Sequence, residues 1–168
     1  SMWPAGTWFL DGKAAAAADQ VAEPGVTLVP MSVLPSGLAA VKAPRVGLYK
    51  PWAASMDEGW TRWLLEQYGF APKSVDNATI VKGDLRQAFD VILLPDVSKE
   101  VIAAGKPKRE EGEMAYFVAL PPEYSGGLGV EGAKALVSFV EAGGTLVAFS
   151  VANDYVIEQF NIPVVNSL

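Results

Sequence analysis

Two apolar runs in the second half of the chain restrict its fold more than any other feature. Phe89-Asp90-Val91-Ile92-Leu93-Leu94 is almost continuously apolar. Thr145-Leu146-Val147-Ala148-Phe149 follows directly on a helical repeat closed by Gly143-Gly144. Strands covered on both faces have this character, and they belong to parallel sheets flanked by helices. Between them, Val130, Ala133, Leu136, Val137 and Val140 recur at helical spacing. Upstream, Val46-Gly47-Leu48-Tyr49 predicts a short strand, and Ser55-x-x-Glu58 is a capping box that opens a helix ending at Gly69. Within that helix Trp60, Trp63, Leu64 and Tyr68 predict a buried stripe, with Glu58 and Arg62 as an i,i+4 pair on the outer side. A short strand and turn are expected across residues 74–81, a helix from Ser98 to Ala104 stopped by Gly105, a last helix over residues 153–160 and a terminal strand over 162–165. This alternation predicts an α/β, doubly wound, three-layer sandwich with a mainly parallel, flavodoxin-like sheet.

Residues 1–44 differ from the rest. Short strands are expected at residues 6–10 and 26–29, around an alanine-rich helix from Gly12 to Ala22, and Pro30, Pro35, Gly37 and Pro44 mark a connector. The expected organisation is an N-terminal arm over 1–44 that adds strands to the sheet, and an α/β domain over 45–168. Ser1-Met2 has the form of a pair left by tag cleavage, so the natural N-terminus is expected to lie upstream.

Composition then removes whole classes of chemistry. The 168 residues include neither histidine nor cysteine. A Ser-His-Asp or Cys-His site cannot be assembled from this chain alone, nor an ordinary zinc site of imidazole and thiolate. Lys and Arg total 13 against 19 acidic residues, a formal charge of −6, which gives no attraction for nucleic acid. No apolar run approaches the ~20 residues of a membrane span, so no membrane insertion is expected. No cofactor is expected either: the strand at 46–49 runs into Lys50-Pro51-Trp52, which cannot cradle a dinucleotide pyrophosphate.

Three stretches carry a likeness to a known family. They are residues 44–50 continuing through 55–66, which include Gly59-Trp60-Thr61-Arg62-Trp63-Leu64-Leu65-Glu66; residues 89–96; and Pro121-Pro122-Glu123-Tyr124-Ser125-Gly126-Gly127-Leu128-Gly129 continuing to Ala142-Gly143-Gly144-Thr145-Leu146-Val147. Together they resemble the C-terminal region of large bacterial secreted zinc carboxypeptidases of the carboxypeptidase A-like class. In that family a metallopeptidase domain is followed by a domain similar to class I glutamine amidotransferases. The resemblance covers residues 44–168. It implies a secreted or periplasmic location and a non-catalytic accessory role. The partner would be the peptidase domain of the same parent chain, with peptide substrate presented to it. The family's zinc ligands, a His-x-x-Glu pair and a distant His, cannot exist here.

The same resemblance places Ser150 where an active amidotransferase carries its cysteine, in the turn after a buried strand. Ala148 and Ala152 stand in place of the flanking glycines, and no residue can serve as the histidine base. No catalytic residue is therefore assigned: a strand-end serine that caps the next helix is the plain reading, and a serine-type hydrolase the alternative. A Ser-x-x-Lys dyad is absent, and Ser98-Lys99 are neighbours that do not face one another. Gly126-Gly127-Leu128-Gly129 precedes a helix, as either an anion loop or simply a turn. Glu110, Glu111 and Glu113 lack the spacing of a calcium loop, so no metal site is assigned. Ligands of doubly wound folds gather at the carboxyl ends of the strands. Lys50, Trp52, Asp96, Gly126, Gly127, Ser150, Asn153 and Asp154 are expected there as a ligand or partner crevice. Trp52 reads either as an aromatic contact for a partner or as packing. A stand-alone small-ligand binder using this crevice is the competing function.

Overall fold

A computed structural model describes residues 3, 4, 6–18, 25–106, 121 and 124–167. The chain divides into two compact units, 1–42 and 43–168. In the first, α1 spans Gly12–Ala18, and the expected continuation to Ala22 lies outside the described residues. Residues 6–10 and 26–29 are not strands. β-propensity over four or five residues does not make a strand without a ladder partner.

In the second unit the elements run in chain order. They are β1 (Val46–Tyr49), α2 (Met56–Gln67), β2 (Lys73–Val75), α3 (Asn77–Lys82), α4 (Leu85–Ala88) and β3 (Val91–Leu94), then α5 (Lys99–Ala104), α6 (Gly129–Glu141), β4 (Thr145–Ala148) and α7 (Ala152–Gln159). The four strands form one all-parallel sheet in the order β2-β1-β3-β4. Helices lie on both faces, so the architecture is an α/β sandwich consistent with the flavodoxin-like expectation. Residues 162–165 are not the expected fifth strand. They follow α7 as irregular chain, and Val164 donates its N–H locally to the Ile162 carbonyl at 2.8 Å.

Side-chain alternation along the strands sorts the core. Tyr49, Ile92 and Leu94 face one side, where they pack with Ile80 of α3, Leu85 of α4, Ile102 of α5, Leu136 and Phe139 of α6 and Tyr155 of α7. Each fully buried aliphatic there contributes about 1.5–3 kcal/mol. Val46, Leu48 and Leu93 face the other side, where Val91, Val147 and Leu65 of α2 pack against them.

The helix starts and stops expected from the sequence are present, with half of the capping box at Ser55 formed. The Ser55 hydroxyl accepts the Glu58 N–H at 3.2 Å, and Phe70 N–H reaches the Leu65 carbonyl at 3.0 Å past a left-handed Gly69. Ser98 caps α5, and Gly105 ends it in the left-handed region. The orientation of α2 is the main correction. Its expected buried stripe points to solvent: Trp60 is 68% exposed, Trp63 53% and Tyr68 76%, and Leu64 is exposed as well. Glu58, expected outside, is buried. Arg62 donates to Glu58 Oε1 at 2.6 Å, to the Pro72 carbonyl at 3.0 Å and to Ser74 Oγ at 2.9 Å. These bonds to the β2 segment turn the polar side of the helix inward.

At the amino ends of the strands Asp90 acts as a clasp. Its carboxylate accepts the Arg45 backbone N–H at 2.9 Å, two guanidinium N–H groups of Arg45, and Arg86 Nη1 at 2.8 Å. Its backbone joins Arg45 on one side and Thr145 on the other. The Arg45 and Arg86 bonds hold the Asp90 carboxyl well below the usual carboxylate range. A depressed folded-state value adds stability above the unfolded carboxylate pKa of about 4, and that stability is lost as pH falls below it. Thermal melts from pH 7 to pH 2 should show a steep loss below about pH 4 in the wild type and a shallower one in Asp90→Asn; parallel curves would remove Asp90 from the account.

Candidate functional site

The predicted crevice residues all lie at the carboxyl ends of the strands, but they fall into two groups. The first surrounds the tip of β1. The buried Tyr49 hydroxyl donates to Asn77 Oδ1 at 2.7 Å. Asn77 Nδ2 in turn donates to the Gly126 carbonyl at 2.8 Å. One buried amide therefore ties the end of β1 and the start of α3 to the glycine loop before α6. Gly127 lies against the backbone of Ala103 and Ala104, and Gly105 against Gly126, with no room for a Cβ at either glycine. Leu128 N–H completes the junction on the Ile102 carbonyl at 2.7 Å. The Gly126-Gly127 pair is thus a close backbone contact with the end of α5. Beside this junction, Trp52 and Tyr124 meet edge to face, with ring centroids 5.3 Å apart. Trp52 is half-buried and Tyr124 exposed. Lys50 stands exposed next to them, with its backbone N–H on the Val75 carbonyl.

The second group spans the tips of β3 and β4. Ser150 sits in the turn between β4 and α7 with φ of +50°. Among the described residues the other non-glycine positions with positive φ are Asp84 and Asn161, whose side-chain types tolerate that region. A serine there carries a backbone cost of about 1 kcal/mol. Asp96 Oδ1 accepts the Val151 N–H at 3.4 Å, a long bond across the turn. Asn153 N–H closes on the Ser150 carbonyl at 3.1 Å, and Asp154 N–H on that of Val151 at 3.2 Å. Both side chains are half-buried. Ser150 therefore carries the chain from β4 into α7 through a left-handed turn.

Sequence reasoning missed Asn77 and Tyr124, which organise the first group. Asn77 follows a capping aspartate, where an asparagine is unremarkable. Tyr155, also missed, is buried in α7, and its hydroxyl has no partner among the described residues. Burial pushes the Tyr155 phenol up to about 12. Burial, with Tyr155 nearby, raises Tyr49 further. Neither phenol ionises at neutral pH, so neither supplies a base.

Two cavities lie away from this edge. One of about 280 Å³ opens at the amino ends of the strands beside Pro44, Val46, Phe70 and Phe89. One of about 360 Å³ lies along α6 and reaches Gln159 of α7. No cluster of three or more acidic metal-ligating side chains occurs among the described residues, and Glu110, Glu111 and Glu113 lie outside them. No described helix is long and apolar enough to cross a membrane. Compared with protein-family profiles, with curated proteins and with solved structures, the chain matches none.

The Asn77 hub predicts opposite outcomes for two neighbouring changes. Asn77→Ala orphans Tyr49 and the Gly126 carbonyl and should cost about 1–3 kcal/mol in denaturant unfolding. Tyr155→Phe removes a buried phenol that makes no bond and should be neutral or stabilising by up to about 1 kcal/mol. A large loss in Tyr155→Phe would mean that its hydroxyl is bonded.

Proposed function

We propose that this chain is a non-catalytic accessory domain of a larger secreted zinc carboxypeptidase, packing on the peptidase domain or presenting peptide substrate to it. The observation that carries this reading is a left-handed turn at Ser150 in a chain with neither imidazole nor thiol. Ser150 holds the left-handed backbone at the end of β4. The chain has no imidazole or thiol to activate it or replace it. An unactivated serine hydroxyl is a poor nucleophile. The half-buried Trp52 against Tyr124 supports a contact role for the same edge, since rigid aromatic pairs anchor protein and peptide contacts at low entropic cost. The secreted or periplasmic setting, and the amidotransferase ancestry of the fold, rest on the sequence resemblance.

A second reading is favoured by one observation, the backbone strain at Ser150. Strain of that kind clusters at functional sites. It keeps open a small-ligand binder or a serine-type hydrolase acting through the crevice around Ser150.

Ester and amide turnover by the purified domain separates the two. The accessory reading predicts rates equal to buffer for the wild type and for Ser150→Ala, together with a gain of about 1 kcal/mol in Ser150→Gly from relief of the left-handed backbone. It also predicts that Trp52→Ala weakens binding to a separately produced peptidase domain by tenfold or more. Hydrolysis abolished by Ser150→Ala would overturn it in favour of the hydrolase.

A further inference from the structure

The outward stripe of α2 takes no part in the crevice, and its direction is set by specific bonds. Arg62 is fixed to Glu58, Pro72 and Ser74, and Leu65 packs on the sheet. Residues 58, 62 and 65 therefore define the inner side of the helix. Met56, Trp60, Trp63, Leu64 and Tyr68 occupy the opposite side, and all five are exposed, by 51–80%. At about 150–250 Å² per side chain, they leave roughly 500–800 Å² in water. Monomers rarely carry an apolar patch that large without using it. The area approaches one partner's share of a standard interface, about 800 Å².

We propose that this face joins two copies of the chain, with α2 packed antiparallel to its counterpart across a twofold axis. A twofold interface must be complementary to itself. A helix of 12 residues, about 18 Å long, with its stripe on one side meets that condition. Trp60 and Trp63 already brace each other edge to face at 6.1 Å, so little side-chain freedom is lost on association. The charges fit the antiparallel sense. Helical spacing puts Asp57 and Tyr68 on the same flank at opposite ends of the stripe. In the antiparallel pair each phenol O–H then lies beside a carboxylate. Glu66 falls on the other flank, opposite a glycine of the second copy, so no like charges meet.

This inference does not depend on the accessory reading. Sedimentation velocity on the whole chain over a concentration series tests it. A dimer is expected for the wild type. A monomer is expected for the double variant Trp60→Glu, Trp63→Glu, with unchanged far-UV circular dichroism because neither ring is in the core. Tyr68→Phe should weaken the dimer about tenfold through two lost phenol bonds. If the double variant loses its fold, Gly59→Glu carries the same test, because that position opens to solvent and a carboxylate there meets Glu66 of the second copy as a like charge. A wild type that stays monomeric throughout would overturn the proposal, as would a dimer that survives these substitutions intact.

Discussion

A parallel sheet needs cover on both of its faces, and this structure meets that requirement unequally. Its strands are three or four residues long. They bury little on their own and depend on what packs over them. One face lies under residues of α3, α4, α5, α6 and α7. The other has α2, which reaches the sheet through one leucine and a buried ion pair. The Arg62–Glu58 pair is worth having there because Arg62 also satisfies the Pro72 carbonyl and Ser74. A half-buried pair without such extra bonds would barely offset its own desolvation. The inward polar side then leaves the apolar side outward, and the surface chemistry of the domain follows.

At the opposite end of the strands, polar groups are arranged to hold backbone. Asn77 spends both ends of its amide on Tyr49 and Gly126, and two glycines let α5 and the α6 loop touch backbone to backbone. This rigid junction positions Trp52 and Tyr124. The adjacent turn holds Ser150 in a left-handed backbone, with Asp96 reaching the first N–H beyond it.

Much of the fold was legible in the residues. The glycine at 105, the serines at 55 and 98 and the apolar runs at 91–94 and 145–148 specify local structure by mechanisms that act over a few residues. The face of α2 was not legible. Helical spacing shows that Trp60, Trp63 and Leu64 share a side, but not whether that side meets the sheet, which was decided by bonds from Arg62 to residues ten and twelve positions away. Residues 6–10, 26–29 and 162–165 have strand-like composition without a strand, because pairing is a tertiary property. α4 is a single turn too short to show a period. The strand-end location of the crevice residues followed from topology alone. Its division into two groups did not, because Asn77 at the start of α3 and Tyr124 before α6 lie far apart in the chain and sequence spacing does not bring them together.

The central claim is that this domain accompanies chemistry performed elsewhere in its parent protein. Sequencing the natural reading frame upstream of Trp3 tests it most directly. The account predicts a large domain there with a His-x-x-Glu pair and a later histidine, the ligands of a zinc carboxypeptidase. A frame that opens close to Trp3 would contradict it and leave the crevice around Ser150 as the leading site.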